Sequence, residues 1–132
     1  MPIEGLVTVQ SRREPAETFA RVEAEISTRS LTVFARIDHA AGAEAVGMAL
    51  RPTILFIFGA ARGGTPLMQA AQTVGIDLPL KILIWQDESG ETQVSYNDPS
   101  WLAQRHELGD AASAAVKGLT GVLAAIVAAA TA

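Results

Sequence analysis

Four side chains in the stretch Leu78–His106 carry the groups with which a protein handles a small polar molecule: Lys81, Tyr96, Asp98 and His106. A cation, a hydroxyl, a carboxylate and an imidazole are the polar set that an otherwise apolar pocket uses to orient a small anion. The same set could move protons, with Asp98, His106 or Lys81 as acid or base. A second candidate is the segment Gly59-Ala60-Ala61-Arg62-Gly63-Gly64-Thr65-Pro66, which joins an apolar run to a helical one. Backbone N–H groups at Gly63, Gly64 and Thr65, at the start of a helix and beside Arg62, would suit an anion. The segment is neither a Walker A motif nor a spaced GxGxxG. His39, directly after Asp38, completes the candidate ligand-binding residues.

Each candidate has a purely structural alternative. Asp98 directly before Pro99 has the position of an N-cap, and Asp38 before His39 likewise. His106 lies toward the end of its helix, where a protonated imidazole is favoured by the dipole. The Gly59–Gly64 segment also reads as an ordinary strand-to-helix turn. Lys81 shares a strand face with Leu83 and Trp85, so it either snorkels past the sheet edge or aims at an anionic group, and burial would lower its pKa. Metal chemistry would require Asp38, His39 and His106 to converge, because no HxxH or HExxH spacing is present. Neither a metal nor a cofactor is expected. The serines lack a GxSxG setting.

The elements that would position these residues follow from patterning. Gly5–Gln10 is short and β-branched, a strand. Pro15 opens a helix to about Arg29, with Phe19, Val22 and Ile26 at helical spacing. Leu31–Ile37 alternates as a second strand, and a short helix follows from His39 to about Met48. Pro52–Phe58 is apolar on both faces, which fits a strand covered on both sides or lying at a subunit contact. Thr65 as N-cap and Pro66 at the first helical position predict a third helix running to Gly75. Leu78–Gln86 and Glu91–Asn97 form an antiparallel hairpin around Asp87–Gly90. Within it Thr92, Val94 and Tyr96 share one face, and Gln93, Ser95 and Asn97 the other. A helix from Pro99 to His106 follows, then a last helix capped by Asp110, with Val116, Leu119, Val122, Leu123, Ile126 and Val127 on one face. This order predicts an α+β fold, a mostly antiparallel or mixed five-stranded sheet packed with helices. The domain would span residues 1–109, with an Ala-rich C-terminal helix over residues 110–132 packed on it or at a subunit interface.

Composition bounds the rest. The chain has 132 residues, enough for one domain, and 49% hydrophobic residues, enough for a core. A net charge of −4 and the lack of any Lys/Arg run argue against nucleic-acid binding. The sequence has no cysteine, which removes disulfides and thiolate chemistry. The uncharged stretch from Gly118 onward falls short of the ~20 apolar residues of a membrane span, so a cytoplasmic protein without a membrane role is expected.

Four ordered segments carry a resemblance. They are Ile37-Asp38-His39-Ala40-Ala41-Gly42-Ala43; Leu50-Arg51-Pro52-Thr53 leading to Phe58-Gly59; Gly64-Thr65-Pro66-Leu67-Met68-Gln69; and Leu78-Pro79-Leu80-Lys81 through Trp85 to Ser95-Tyr96-Asn97-Asp98-Pro99 and Arg105-His106. Together they resemble the bacterial family catalogued as domain of unknown function 302, over roughly Gly5–Leu108. The resemblance implies a compact α+β fold and self-association, and no established reaction. The family usually has Asn-Pro after the Phe-Gly; this chain has Ala60-Ala61, so any contact made by that Asn is missing. The Ala-rich tail lies outside the resemblance.

Three functions remain open on the sequence. The first is a homo-oligomeric module, most simply a dimer, holding a small anionic ligand between the Gly59–Thr65 segment and Tyr96–His106. The second is an enzyme using Asp98, His106 or Lys81. The third is a structural assembly domain.

Overall fold

A computed structural model describes residues 2–132. Five strands, β1 (Leu6–Gln10), β2 (Thr32–Asp38), β3 (Thr53–Gly59), β4 (Leu80–Gln86) and β5 (Thr92–Asn97), form one antiparallel sheet in the order β1-β5-β4-β3-β2. The helices are α1 (Pro15–Thr28), α2 (His39–Ala45), α3 (Ala61–Ala70), α4 (Pro99–Arg105) and α5 (Ser113–Thr131), with 3-10 turns at Gln72–Asp77 and Asp110–Ala112. The expected α+β architecture is therefore what the chain adopts, and the sheet is antiparallel throughout.

Alternation along each strand decides which face is covered. Phe56 and Phe58 of β3, Ile82 and Ile84 of β4, and Val94 and Tyr96 of β5 meet Val22 and Ile26 of α1 and Leu123, Ile126, Val127 and Ala130 of α5 in one buried cluster. Phe19 of α1 stacks on Phe56 with ring centroids 4.5 Å apart. Arg36 turns to the same side and pairs with Glu23 of α1. The apolar stripe expected on the last helix thus packs on the helix's own sheet, and Arg12 N–H donates to Thr131 O at 3.0 Å where that helix ends. A second, smaller cluster joins Leu67, Val74, Leu108, Ala112 and Val116. The opposite sheet face, with Leu55, Ile57, Leu83 and Trp85 only partly buried and Ile37 exposed, has no helix of the main cluster over it. Strand β3 is apolar on both faces, as the sequence indicates, but is helix-covered on one.

The hairpin forms as patterned. Asp87 N–H donates to Glu91 O at 2.9 Å, and the Asp87 carboxylate accepts from the N–H of Ser89 and Glu91 and from Gln93 Nε2. Those bonds to the ionised form, led by Gln93, hold its pKa below the ordinary carboxylate range. Asp38 caps α2 by accepting from Ala41 N–H, and Asp98 caps α4 by accepting from Ser100 N–H.

The third helix departs from expectation. It starts at Ala61, four residues before Thr65, and its N-cap position, Ala60, has no side-chain cap bond. Thr65 is therefore no cap, and Pro66 lies inside the helix. Gly63 and Gly64 already make first-turn bonds to Ala60 O, at 3.0 and 3.2 Å. Packing explains why two glycines are helical here. A Cβ on Gly63 would come within 3.2 Å of Leu119 Cδ2, and one on Gly64 within 3.5 Å of Leu78. Close approach of this turn to α5 outweighs the poor helix propensity of glycine. The helix also ends early, at Ala70, and a tighter 3-10 turn carries the chain on to Asp77.

Candidate functional site

The side chains singled out from the sequence fall into separate places, because strand parity assigns them to different faces. Lys81 pairs opposite Ile57 and projects with Leu83 and Trp85 on the open face. Tyr96 alternates with the buried Val94 and belongs to the helix-covered core. The two do border one shallow groove of about 330 Å3, together with Ile3, Leu6, Leu55 and Asn97. Burial pushes the Lys81 ammonium below the ordinary lysine range, against the opposing pull of Asp77. Its Nζ donates to Asp77 O at 3.2 Å and Pro79 O at 3.1 Å. Burial, with the Asp98 charge adding to it, raises Tyr96 above its ordinary value. Beside Lys81 a partly buried polar chain crosses the sheet: Trp85 Nε1 donates to Ser95 Oγ at 2.9 Å, and Ser95 Oγ bonds Thr8 Oγ1 at 2.8 Å. Asp98 is occupied as a helix cap. His39 is exposed at the first position of α2. Among the described residues, no three His, Asp or Glu side chains gather as metal ligands, so Asp38, His39 and His106 do not form such a group.

His106 leads to a residue that the sequence alone does not single out. Its Nε2 lies 2.6 Å from Asp77 Oδ2, and its Nδ1 lies 3.0 Å from Thr73 Oγ1. Arg105 spans the same carboxylate, its Nη1 donating to Oδ1 at 3.0 Å and to Oδ2 at 2.9 Å. The His106 side chain is 8% exposed, and that of Asp77 16%. Asp77 is thus a hub that ties the 3-10 turn Gln72–Asp77 to the end of α4 and reaches Lys81 through its main chain. The signal available in the sequence was the spacing of Thr73 and Asp77, four apart in a helical stretch just before Leu78-Pro79.

The other side of that segment borders an open, largely apolar concavity. Gly75, Leu78, Pro79 and Leu80 form one wall, the turn Gly59–Gly64 a second, and Ala115, Gly118, Leu119 and Val122 of α5 a third, around an open recess of about 640 Å3. Leu31, the exposed Phe34 and Met68 complete it, and among the described residues Arg62 is the one charged residue in its lining. Of the expected anion-binding segment, Gly63 and Gly64 line the recess; Thr65 does not, since it lies exposed on α3. Small residues create the space: a Cβ added at Gly118 would meet nothing within 4 Å.

The fold and these concavities define a small antiparallel α+β domain with an apolar recess beside a partly buried polar hub. Residues 7–126 match the family described as "Domain of unknown function DUF302", and the chain belongs to that family. The match includes most of α5, which the sequence resemblance had placed outside it. The crystal structure of an uncharacterized conserved DUF302 protein from Bacillus stearothermophilus superposes with a TM-score of 0.85 over 97% of this chain and 99% of that one, at 18% identity, a likeness of fold. Over 115 residues the chain is 50% identical to the fluoride-specific ion channel FluC 1 of Brucella suis biovar 1, covering 87% of this chain and 45% of that protein. FluC 1 of Brucella abortus biovar 1 is also 50% identical, with 43% of its length covered. The chain spans less than half the length of these curated relatives.

Proposed function

We propose that the chain is a ligand-binding module whose recess takes a compact, largely apolar molecule bearing one anionic group. The recess itself carries this reading: about 640 Å3 walled by glycine, alanine and aliphatic side chains, with Arg62 as its one charge. An apolar ligand body gains by leaving water, and a single anionic end would face the guanidinium at the rim.

In the Brucella relatives the matching half shares a chain with a further segment of comparable length. Conduction across a bilayer by helices needs several spans of ~20 apolar residues with every backbone group satisfied. This chain has one helix of that length and composition among the described residues, Asp110–Thr131, and its apolar stripe packs on the sheet. We therefore assign fluoride conduction to the remainder of those longer proteins, and to this domain a ligand-responsive role beside it. A cytoplasmic location belongs to the same reading.

The test is a titration with 8-anilinonaphthalene-1-sulfonate, an aryl body with one anionic group. Saturable one-site fluorescence is expected. Gly118→Leu fills the recess while replacing glycine by a better helix former, so it should abolish binding without lowering the thermal midpoint. Arg62→Gln should weaken the sulfonate but spare the neutral N-phenyl-1-naphthylamine. Equal binding by the parent and Gly118→Leu would overturn the proposal.

A second reading, a two-fold dimer used for assembly, is favoured by the partly buried Leu55, Ile57, Leu83 and Trp85 on the open sheet face. Sedimentation of Leu83→Asp against the parent separates them: the dimer reading requires the parent to be dimeric and the variant monomeric.

A further inference from the structure

The Asp77 hub has the connectivity of a nucleophile with its base, independently of the recess. Asp77 is acceptor-only when ionised, so at 2.6 Å the imidazole donates from Nε2–H. The neutral ring then has its lone pair on Nδ1, and the Thr73 hydroxyl 3.0 Å away donates into it. Arg105 occupies both oxygens of Asp77 from the outside and fixes which one faces the ring. The base is 8% exposed, whereas Thr73 is open to solvent. Hydroxyl, imidazole and carboxylate in that order are recognised by geometry and not by sequence position. In a 3-10 turn, residues three apart eclipse, so Ile76 sits above Thr73, and it is 75% exposed, an apolar rest for an acyl chain.

We propose that Thr73 is an acyl-accepting nucleophile, with His106 as its general base and Asp77 and Arg105 as positioning residues, acting on compact activated esters. Thr73 Oγ1 attacks the ester carbonyl carbon while its proton passes to His106 Nδ1. The bond from carbon to the leaving oxygen breaks, and that oxygen takes the proton from Nδ1. Water then attacks the acyl-threonine, again giving its proton to His106. The acid is released, and the proton returns to Thr73.

The experiment exposes the full chain to p-nitrophenyl acetate, followed by intact mass and peptide mapping. A single acetyl adduct on Thr73, trapped by acid quench before the acyl-threonine hydrolyses, is expected, with p-nitrophenol release followed as a function of pH. The Asp77 carboxylate faces the His106 imidazole, the Arg105 guanidinium pairs with that carboxylate, and the Lys81 ammonium bonds Asp77 O. Thr73→Ser should keep the reaction, Thr73→Val should remove the adduct with an unchanged thermal midpoint, and His106→Gln should slow release about a hundredfold. Asp77→Asn should slow release and move the pH profile. An unmodified Thr73 in the parent, or release undiminished in Thr73→Val, would overturn the proposal.

Discussion

Single residues here are decided by what faces them. Lys81 is held on the open sheet face with its ammonium partly out of water and only main-chain oxygens as hydrogen-bond partners. Its folded pKa lies below the ordinary lysine value of 10.5, with burial as the leading cause. Between the lowered folded pKa and 10.5 the unfolded chain binds more protons, so stability rises with pH in that window. Below the folded pKa the charged Lys81 weakens the fold by a constant amount. Lys81→Met should therefore match or exceed the parent in urea midpoint at neutral pH, and should lack the parent's gain at alkaline pH. A lower midpoint for Lys81→Met at pH 7 would show that the two carbonyl bonds outweigh desolvation. The sequence disclosed that Lys81 stands with Leu83 and Trp85, because strand parity is local. It could not disclose that Tyr96 points the other way relative to Lys81, since register between strands is set by the whole sheet. Asp77 was hidden for the same kind of reason: its partners, Arg105 and His106, come from the C-terminal end of α4 and its cap, distant in sequence.

At the level of elements, the strands, the hairpin and the caps Asp38 and Asp98 were legible because each rests on a short-range rule; Asp110, in contrast, opens a 3-10 turn and caps no helix, α5 starting only at Ser113. The start of α3 was not. Thr65-Pro66 has the form of a helix opening, and Gly63-Gly64 the form of a loop, yet the helix begins earlier because those glycines let it approach Leu119 and Leu78. Thr65 is consequently an exposed interior residue with no capping bond. Thr65→Ala should leave the denaturation midpoint unchanged or slightly raised, since alanine is the better helix former by a few tenths of a kcal/mol. A loss of ~1 kcal/mol, the usual cost of removing a cap, would instead place the helix start at Thr65. The shifted start also bears on the candidate site, because it moves the free N–H groups away from Thr65 while leaving Gly63 and Gly64 on the wall of the recess.

For the whole molecule, β1 closes the sheet against β5, with Leu6 opposite Asn97 and Val9 opposite Val94. Strands β2 to β5 are each bonded to the next in chain order and can zip successively. The strand of these five that is synthesised first is thus barred from its place until β5 exists, and its docking closes a loop of most of the domain, an entropic cost that must be met before any reward. Docking of β1 should accordingly come after the rate-limiting step of folding. In stopped-flow chevrons, Val9→Ala should act mainly by speeding unfolding, while Ile82→Val, in the meander, should slow folding. On the ribosome, a nascent chain would display the β5 edge of its meander bare until the amino-terminal segment swings back, and that interval is when such a chain is most open to pairing with a neighbour.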